Sequence, residues 1–159
     1  MTDDLAALAR AILDASLYMT LGTADESGRP WVSPVYYAAD GYQDVFWVSS
    51  PEARHSENIA ARPDVSLVVF DSHARIGEGQ AVYMAAIAEE LAGAELIRGI
   101  EVFSRRSVKH GAGPWKPSDV KAPSSLRAYR ATVTEHSVFD AKAQPALSRG
   151  RDRRIRVSL

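Results

Sequence analysis

The strongest constraint on this chain is a series of short, strand-like segments separated by turn signals. Tyr18 to Ala24 reads as a strand, Asp25-Glu-Ser-Gly-Arg-Pro30 as a turn, and Trp31 to Ala38 as the returning strand. Asp40-Gly41 marks a second turn before Val45 to Ser49. Val65 to Phe70 is a β-branched run between Pro63-Asp64 and Asp71-Ser72, and Gly77-Glu78-Gly79 precedes a further strand from Gln80 to about Ala88. Consecutive strands joined by short turns predict an antiparallel barrel, mainly β, with helices added at its edges. Leu126 to Asp140 reads as a long strand. Near the end, Ile155, Val157 and Leu159 alternate with Arg154, Arg156 and Ser158, as in a last, half-buried strand.

Two segments break this rhythm with helical spacing. Leu5, Leu8, Ala9, Ile12 and Leu13 form an apolar stripe, with Thr2 as a candidate cap and Asp3 and Asp4 suited to the positive end of the dipole. From Glu89 to about Val108, Leu91, Ala94, Ile97, Ile100 and Phe103 form a second stripe, interrupted by Gly93 and Gly99. Lys109 to Pro123 is rich in proline and glycine and reads as a loop carrying Trp115. The 159 residues suit one domain, 1–159.

Bulk properties narrow the function. A net charge of −1 gives no general attraction to nucleic acid or to an anionic membrane. No apolar run approaches the ~20 residues of a membrane helix. The absence of cysteine excludes thiolate catalysis and disulfides, and fits a cytoplasmic protein. His55, His73, His110 and His136 show no helical ligand spacing, so no protein-built metal site is expected. Gly77-Glu78-Gly79 lacks the third glycine of a dinucleotide fingerprint and reads as a hairpin turn. The arginines at 149, 151, 153, 154 and 156, interrupted by Asp152, read as a solvated strand edge.

The stretch from Val48 to Pro63 is more informative. Ser50 suits an N-cap and Pro51 the first helical position, which places Arg54, His55 and Asn58 on one helix face. Ser49, Ser50, the free N–H groups, Arg54 and His55 could then converge on a phosphate. Chemistry alone leaves a second, commoner reading, a capped surface helix.

The order of these features resembles the pyridoxamine 5′-phosphate oxidase-like, flavin-binding split-barrel family. That family has a strand ending in Thr-Asn, then Ser-Arg-Lys, a short helix, Asn-Pro and a strand of the Val-Ser-Leu-Val-Phe type. Here Ser49-Ser50, Ala53-Arg54-His55, Arg62-Pro63 and Val65-Ser-Leu-Val-Val-Phe70 follow without a gap. With Gly28-Arg-Pro30 before and Gln80 after, the likeness spans roughly residues 5–90. It implies an antiparallel split β-barrel with peripheral helices, and FMN held at its phosphate by Arg54 and His55 with Ser49 and Ser50 assisting. Ser33, Pro34, Val35 and Tyr36 would line the isoalloxazine ring, and Gln80 would contact it. The resemblance also implies a homodimer with a flavin in each intersubunit groove, where Arg154 would reach the partner's cofactor.

The departures from the family pattern are specific. Ser33 stands where the true oxidases carry a phosphate-binding arginine, Ala38 near their substrate-binding lysine, and His55 for a lysine. They argue against the vitamin B6 oxidase itself. The expectation is an FMN-dependent oxidoreductase acting on a small molecule, with Trp115 and Lys116 as candidate substrate contacts; Trp115 could equally be a loop anchor. The alternatives are an F420-dependent reductase and a non-catalytic flavin-binding module; some relatives bind haem.

Overall fold

The computed structural model describes residues 2–139 and 153–159. Its elements run α1 (Thr2–Ala15), β1 (Tyr18–Ala24), β2 (Pro30–Tyr36), β3 (Ala38–Asp40), β4 (Asp44–Ser49), α2 (Arg54–Ala61), β5 (Asp64–Phe70), β6 (Ala81–Glu90), α3 (Gly93–Lys109), β7 (Arg127–Phe139) and β8 (Arg154–Val157). A 3₁₀ turn, Pro117–Val120, interrupts the loop after α3. Every strand pairing is antiparallel, in the order β2-β1-β5-β6-β7-β4-β3, with β8 added to β7.

This order makes the sheet a split barrel. Its two end strands, β2 and β3, are consecutive in the chain and separated only by Tyr37. The single strand expected over Trp31 to Ala38 is therefore two. Tyr37 is fully buried, and its hydroxyl donates to the Leu13 carbonyl at 2.6 Å, pinning the bend to α1. Among the described residues β2 pairs only with β1, so its other edge lies open along the split.

The period-two pattern decides what fills the barrel. Met19, Leu21, Val35, Leu67, Val69, Val82 and Met84 point inward, joined by Trp47 stacked on Tyr129 at 5.6 Å. Ala9 and Leu13 of α1 and Ile59 of α2 complete this core. A second core forms where α3 lies on β3, β4 and β7 and buries Ala38, Phe46, Leu96, Ile100 and Phe103.

Strand β6 runs on to Glu90, so α3 begins at Gly93 rather than at Glu89. Gly99, which costs helix propensity, is there for contact: a Cβ would sit 2.6 Å from Leu91 Cδ1 and 2.9 Å from the Phe46 ring. β8 shows the expected alternation, with Ile155 and Val157 half-buried and Arg154 and Arg156 exposed. The arginines at 149 and 151, with Asp152, lie outside the described residues.

Candidate functional site at the barrel split

The turn after β4 sets the geometry. Ser50 is not an N-cap: its hydroxyl accepts the Glu52 N–H at 3.2 Å and its carbonyl the Ala53 N–H at 3.1 Å. This local serine turn consumes Pro51 and Glu52 and delays the helix until Arg54, with Ala53 as N-cap and no side-chain cap. Arg54 and His55 consequently occupy the first turn of α2, where backbone N–H groups lack carbonyl partners within the helix.

The two side chains then diverge. Arg54 stays exposed at the rim, its guanidinium 4.7 Å from the centre of the Trp31 ring. His55 is buried and spans the split, with Nδ1 3.2 Å from Ser33 Oγ of β2 and Nε2 2.9 Å from Ser49 Oγ of β4. A neutral imidazole donates through one nitrogen and accepts through the other, so two hydroxyls satisfy it fully. Burial holds the His55 pKa below the usual histidine range. His55 is thus an uncharged strut between the lips of the split, and the cation here is Arg54.

Asn58 takes a different part from the one its spacing predicts. It is buried and donates to Thr23 Oγ1 at 3.0 Å, docking α2 onto β1, so it faces the barrel while Arg54 faces solvent. Strand alternation also divides the four β2 candidates. Ser33 and Val35 point toward the interior side, whereas Pro34 and Tyr36 lie on the opposite face with Val32. Tyr36 packs edge-on against Phe103 of α3, ring centres 5.4 Å apart.

The remaining candidates sit elsewhere. Gln80 precedes β6, beyond the Phe70–Ala81 pair, at the far end of β5 from α2. Its Oε1 is buried without a partner. Arg154 lies 3.8 Å over the Tyr83 ring on the outer face of the sheet. Both residues flank cavities that share Val68 and Tyr83. One chain therefore gathers Ser33, Ser49, Arg54 and His55 at one place, and Gln80 and Arg154 at another.

Trp115 packs half-buried against Phe103 at 5.6 Å, and its backbone N–H donates to Ser104 Oγ at 2.8 Å. It anchors the glycine- and proline-rich loop to α3, while Lys116 beside it is exposed. Ala38, at the family's lysine position, is sealed beneath α3 and supplies no charge.

Residue types alone did not single out Trp31, Gly22, Ser66 or Ala85. Gly22, Ser66 and Ala85 share one face of three neighbouring strands and floor a shallow trough of about 520 Å³, with Trp31 at its rim. The signal was present in the alternation, since Gly22 and Ser66 occupy outward positions of β1 and β5. Their pairing needed the register. Among the described residues no group of three or more acidic or histidine side chains could hold a metal, and no helix is long and apolar enough to cross a membrane.

Comparison with known proteins agrees with this architecture. The chain is similar to HutZ, the heme storage protein from Vibrio cholerae, at 19% identity and TM-score 0.67, covering 85% of this chain and 93% of HutZ. It is also similar to a heme binding protein from Mycobacterium smegmatis, at 21% identity and TM-score 0.67, over 94% of this chain but 56% of that longer one. An F420 reductase matches at 18% identity and TM-score 0.59, over 80% and 94% of the two chains. These likenesses establish the fold alone. No curated protein sequence matches. The family model described as pyridoxamine 5′-phosphate oxidase matches residues 5–135, and with the split barrel in place this chain belongs to that family.

Proposed function

We propose that the chain binds FMN at the barrel split and uses it to transfer hydride or electrons to a small molecule. The observation that carries this reading is the convergence of Arg54, the N-terminus of α2 and the open edge of β2. Arg54 and the first amides of α2 suit a phosphate, since both offer N–H donors and positive potential. The unpaired N–H and C=O groups of β2 suit the alternating donors and acceptors along the polar edge of an isoalloxazine. When bound, the flavin supplies the redox chemistry, so the protein need only bind, orient and tune it.

The Ser33–His55–Ser49 bridge holds β2 and β4 at a fixed separation and so keeps this edge open. Gln80 and Arg154 flank cavities other than the trough rimmed by Trp31, the ring that Arg54 contacts, so we assign them to the site of a second copy. The outer face of β2-β1-β5-β6 supports a homodimer, because Val32, Tyr18 and Phe70 expose 66%, 61% and 50% of their surfaces there.

One observation favours a second reading, an F420-dependent reductase. With His55 neutral, Arg54 is the one side-chain cation of the cluster, which suits the single negative charge of the F420 phosphodiester better than the higher charge of the FMN monoester. Separate titrations of the full chain with FMN, F420 and haem, followed by absorbance and fluorescence, distinguish them. FMN binding with reversible bleaching by a reductant supports the first reading. Binding of F420 alone moves the proposal to the second, and binding of neither flavin sinks both.

A further inference from the structure

Tyr36 and His110 meet outside the phosphate cluster, from elements 74 residues apart in sequence, with Tyr36 Oη 2.9 Å from His110 Nδ1. Tyr36 ends β2, and His110 is the C-cap of α3. His110 is set by the helix end, where its backbone N–H reaches the carbonyls of Arg106 and Ser107 at 3.1 Å. The phenol is fixed by Phe103 at 5.4 Å and by Tyr18 at 6.1 Å, both edge-on. The fold thus orders both partners, yet the bond between them remains exposed to solvent. None of the packing described above requires it.

Resting on the flavin reading, we propose that Tyr36 and His110 are the proton-delivery pair of the redox site. Trp31, beside Arg54, and Tyr36 are five positions apart on β2, or about 16 Å at ~3.3 Å per residue. An extended flavin with its phosphate at Arg54 reaches that far along the strand. A substrate that accepts a hydride from the reduced flavin is left with an electron pair that needs a proton. The Tyr36 O–H bond breaks to supply it, and the Nδ1–H of protonated His110 passes to the phenolate oxygen. Solvent then restores the proton on His110.

The direction of the hydrogen bond provides the control. Protonated His110 donates to Tyr36 Oη and leaves the phenolic hydrogen turned outward. Neutral His110 with a bare Nδ1 accepts that hydrogen and withholds it. The ionisable groups facing the pair are Arg106 of α3, whose charge acts on the Tyr36 phenol, and the Tyr18 phenol of β1, with Lys109 adjoining His110 in sequence. Arg106 also hydrogen-bonds the Tyr36 phenol, but it is anchored on the Leu13 and Ser16 carbonyls and a guanidinium keeps its protons, which leaves His110 to make the exchange. Tyr36 is the residue assigned to touch substrate; His110 acts through it as a positioning residue.

The test uses the full chain loaded with FMN, as wild type, Tyr36→Phe and His110→Gln. FMN affinity should be unchanged in His110→Gln, and each variant is compared with wild type at saturating FMN. Bound-flavin fluorescence should rise in Tyr36→Phe, because a phenol beside the ring quenches it. Reoxidation of the reduced flavin by a small quinone should slow roughly a hundredfold in Tyr36→Phe. In His110→Gln it should slow less but lose its pH dependence. Bound FMN with unchanged fluorescence and an unchanged pH profile overturns the pair and leaves the flavin reading intact. A wild type that binds no FMN overturns the flavin reading, and the pair with it.

Discussion

The outer surface of the sheet has two halves built from similar strands but finished differently. Over β3, β4 and β7, α3 seals the surface so closely that Gly99 has no room for a methyl group beside Leu91 and Phe46. Over β2, β1, β5 and β6 the cover is sparse: α3 reaches Tyr36 at the end of β2 and Arg154 of β8 lies on Tyr83, while Ser66 and Ala85 stay exposed. There Val32 and Tyr18 are mostly exposed above a floor of Gly22, Ser66 and Ala85. The first half is completed within the chain. The second combines a trough, an apolar surface and an open strand edge, which is what a cofactor lying between two copies requires.

The sharpest test of this contrast is Gly99→Val, which should destabilise the fold by about 2–3 kcal/mol through overpacking against Leu91 and Phe46. A urea midpoint close to that of the wild type would mean that α3 is not so tightly seated. Next in size, Arg54→Ala should weaken FMN binding by about 1.5–3 kcal/mol, the usual loss for a charge-assisted contact, with little change in fold stability. Unaltered affinity in a fluorescence titration would remove Arg54 from the site.

Val32→Asp probes the uncovered half. Because Val32 is 66% exposed in the single chain, unfolding of the protomer should change by no more than ~0.5 kcal/mol, while sedimentation should report a dimer for the wild type, as proposed above, and a monomer for the variant. Equal masses for the two proteins would leave that face without the partner proposed for it.

The smallest effect concerns pH. Burial lowers the folded-state pKa of both His55 and His136, so the unfolded chain binds more protons in the mildly acidic range. Their contribution to stability is full above the unfolded value of about 6.5 and is lost as pH falls through the folded values. His55→Gln should therefore flatten part of the decline in stability between about pH 6.5 and 5. An identical slope in wild type and variant would mean that His55 is not held neutral between Ser33 and Ser49. The same neutrality implies that FMN affinity does not depend on a His55 charge above pH 7.

Much of the barrel was legible residue by residue. The Tyr18–Ala24 strand, the hairpin to β2, the Val65–Phe70 strand and the half-buried last strand follow from period-two alternation and turn chemistry, which act locally. The phosphate-site candidates were legible as a spacing, but their orientations were not. Ser50 looked like a cap because Ser-Pro commonly opens a helix. Its hydroxyl instead closes a turn with Glu52, and a difference of one backbone conformation moved the helix start by three residues. Asn58 shares a helix face with Arg54 in projection, yet the tilt of α2 on β1 buries one and exposes the other.

The sequence by itself determined the alternating strands, the two apolar helical stripes, the absence of thiol chemistry and the placing of Arg54 and His55 just after a strand. These follow from propensity, periodicity and composition, which need no knowledge of distant neighbours. Only the tertiary structure decided that β2 keeps an open edge and that His55 is a neutral strut while Arg54 remains the cation. It alone brought Tyr36 to His110 across 74 residues. Charge state, hydrogen-bond partnership and exposure depend on what the fold brings within a few ångströms, and that is set by strand order and helix packing rather than by local pattern.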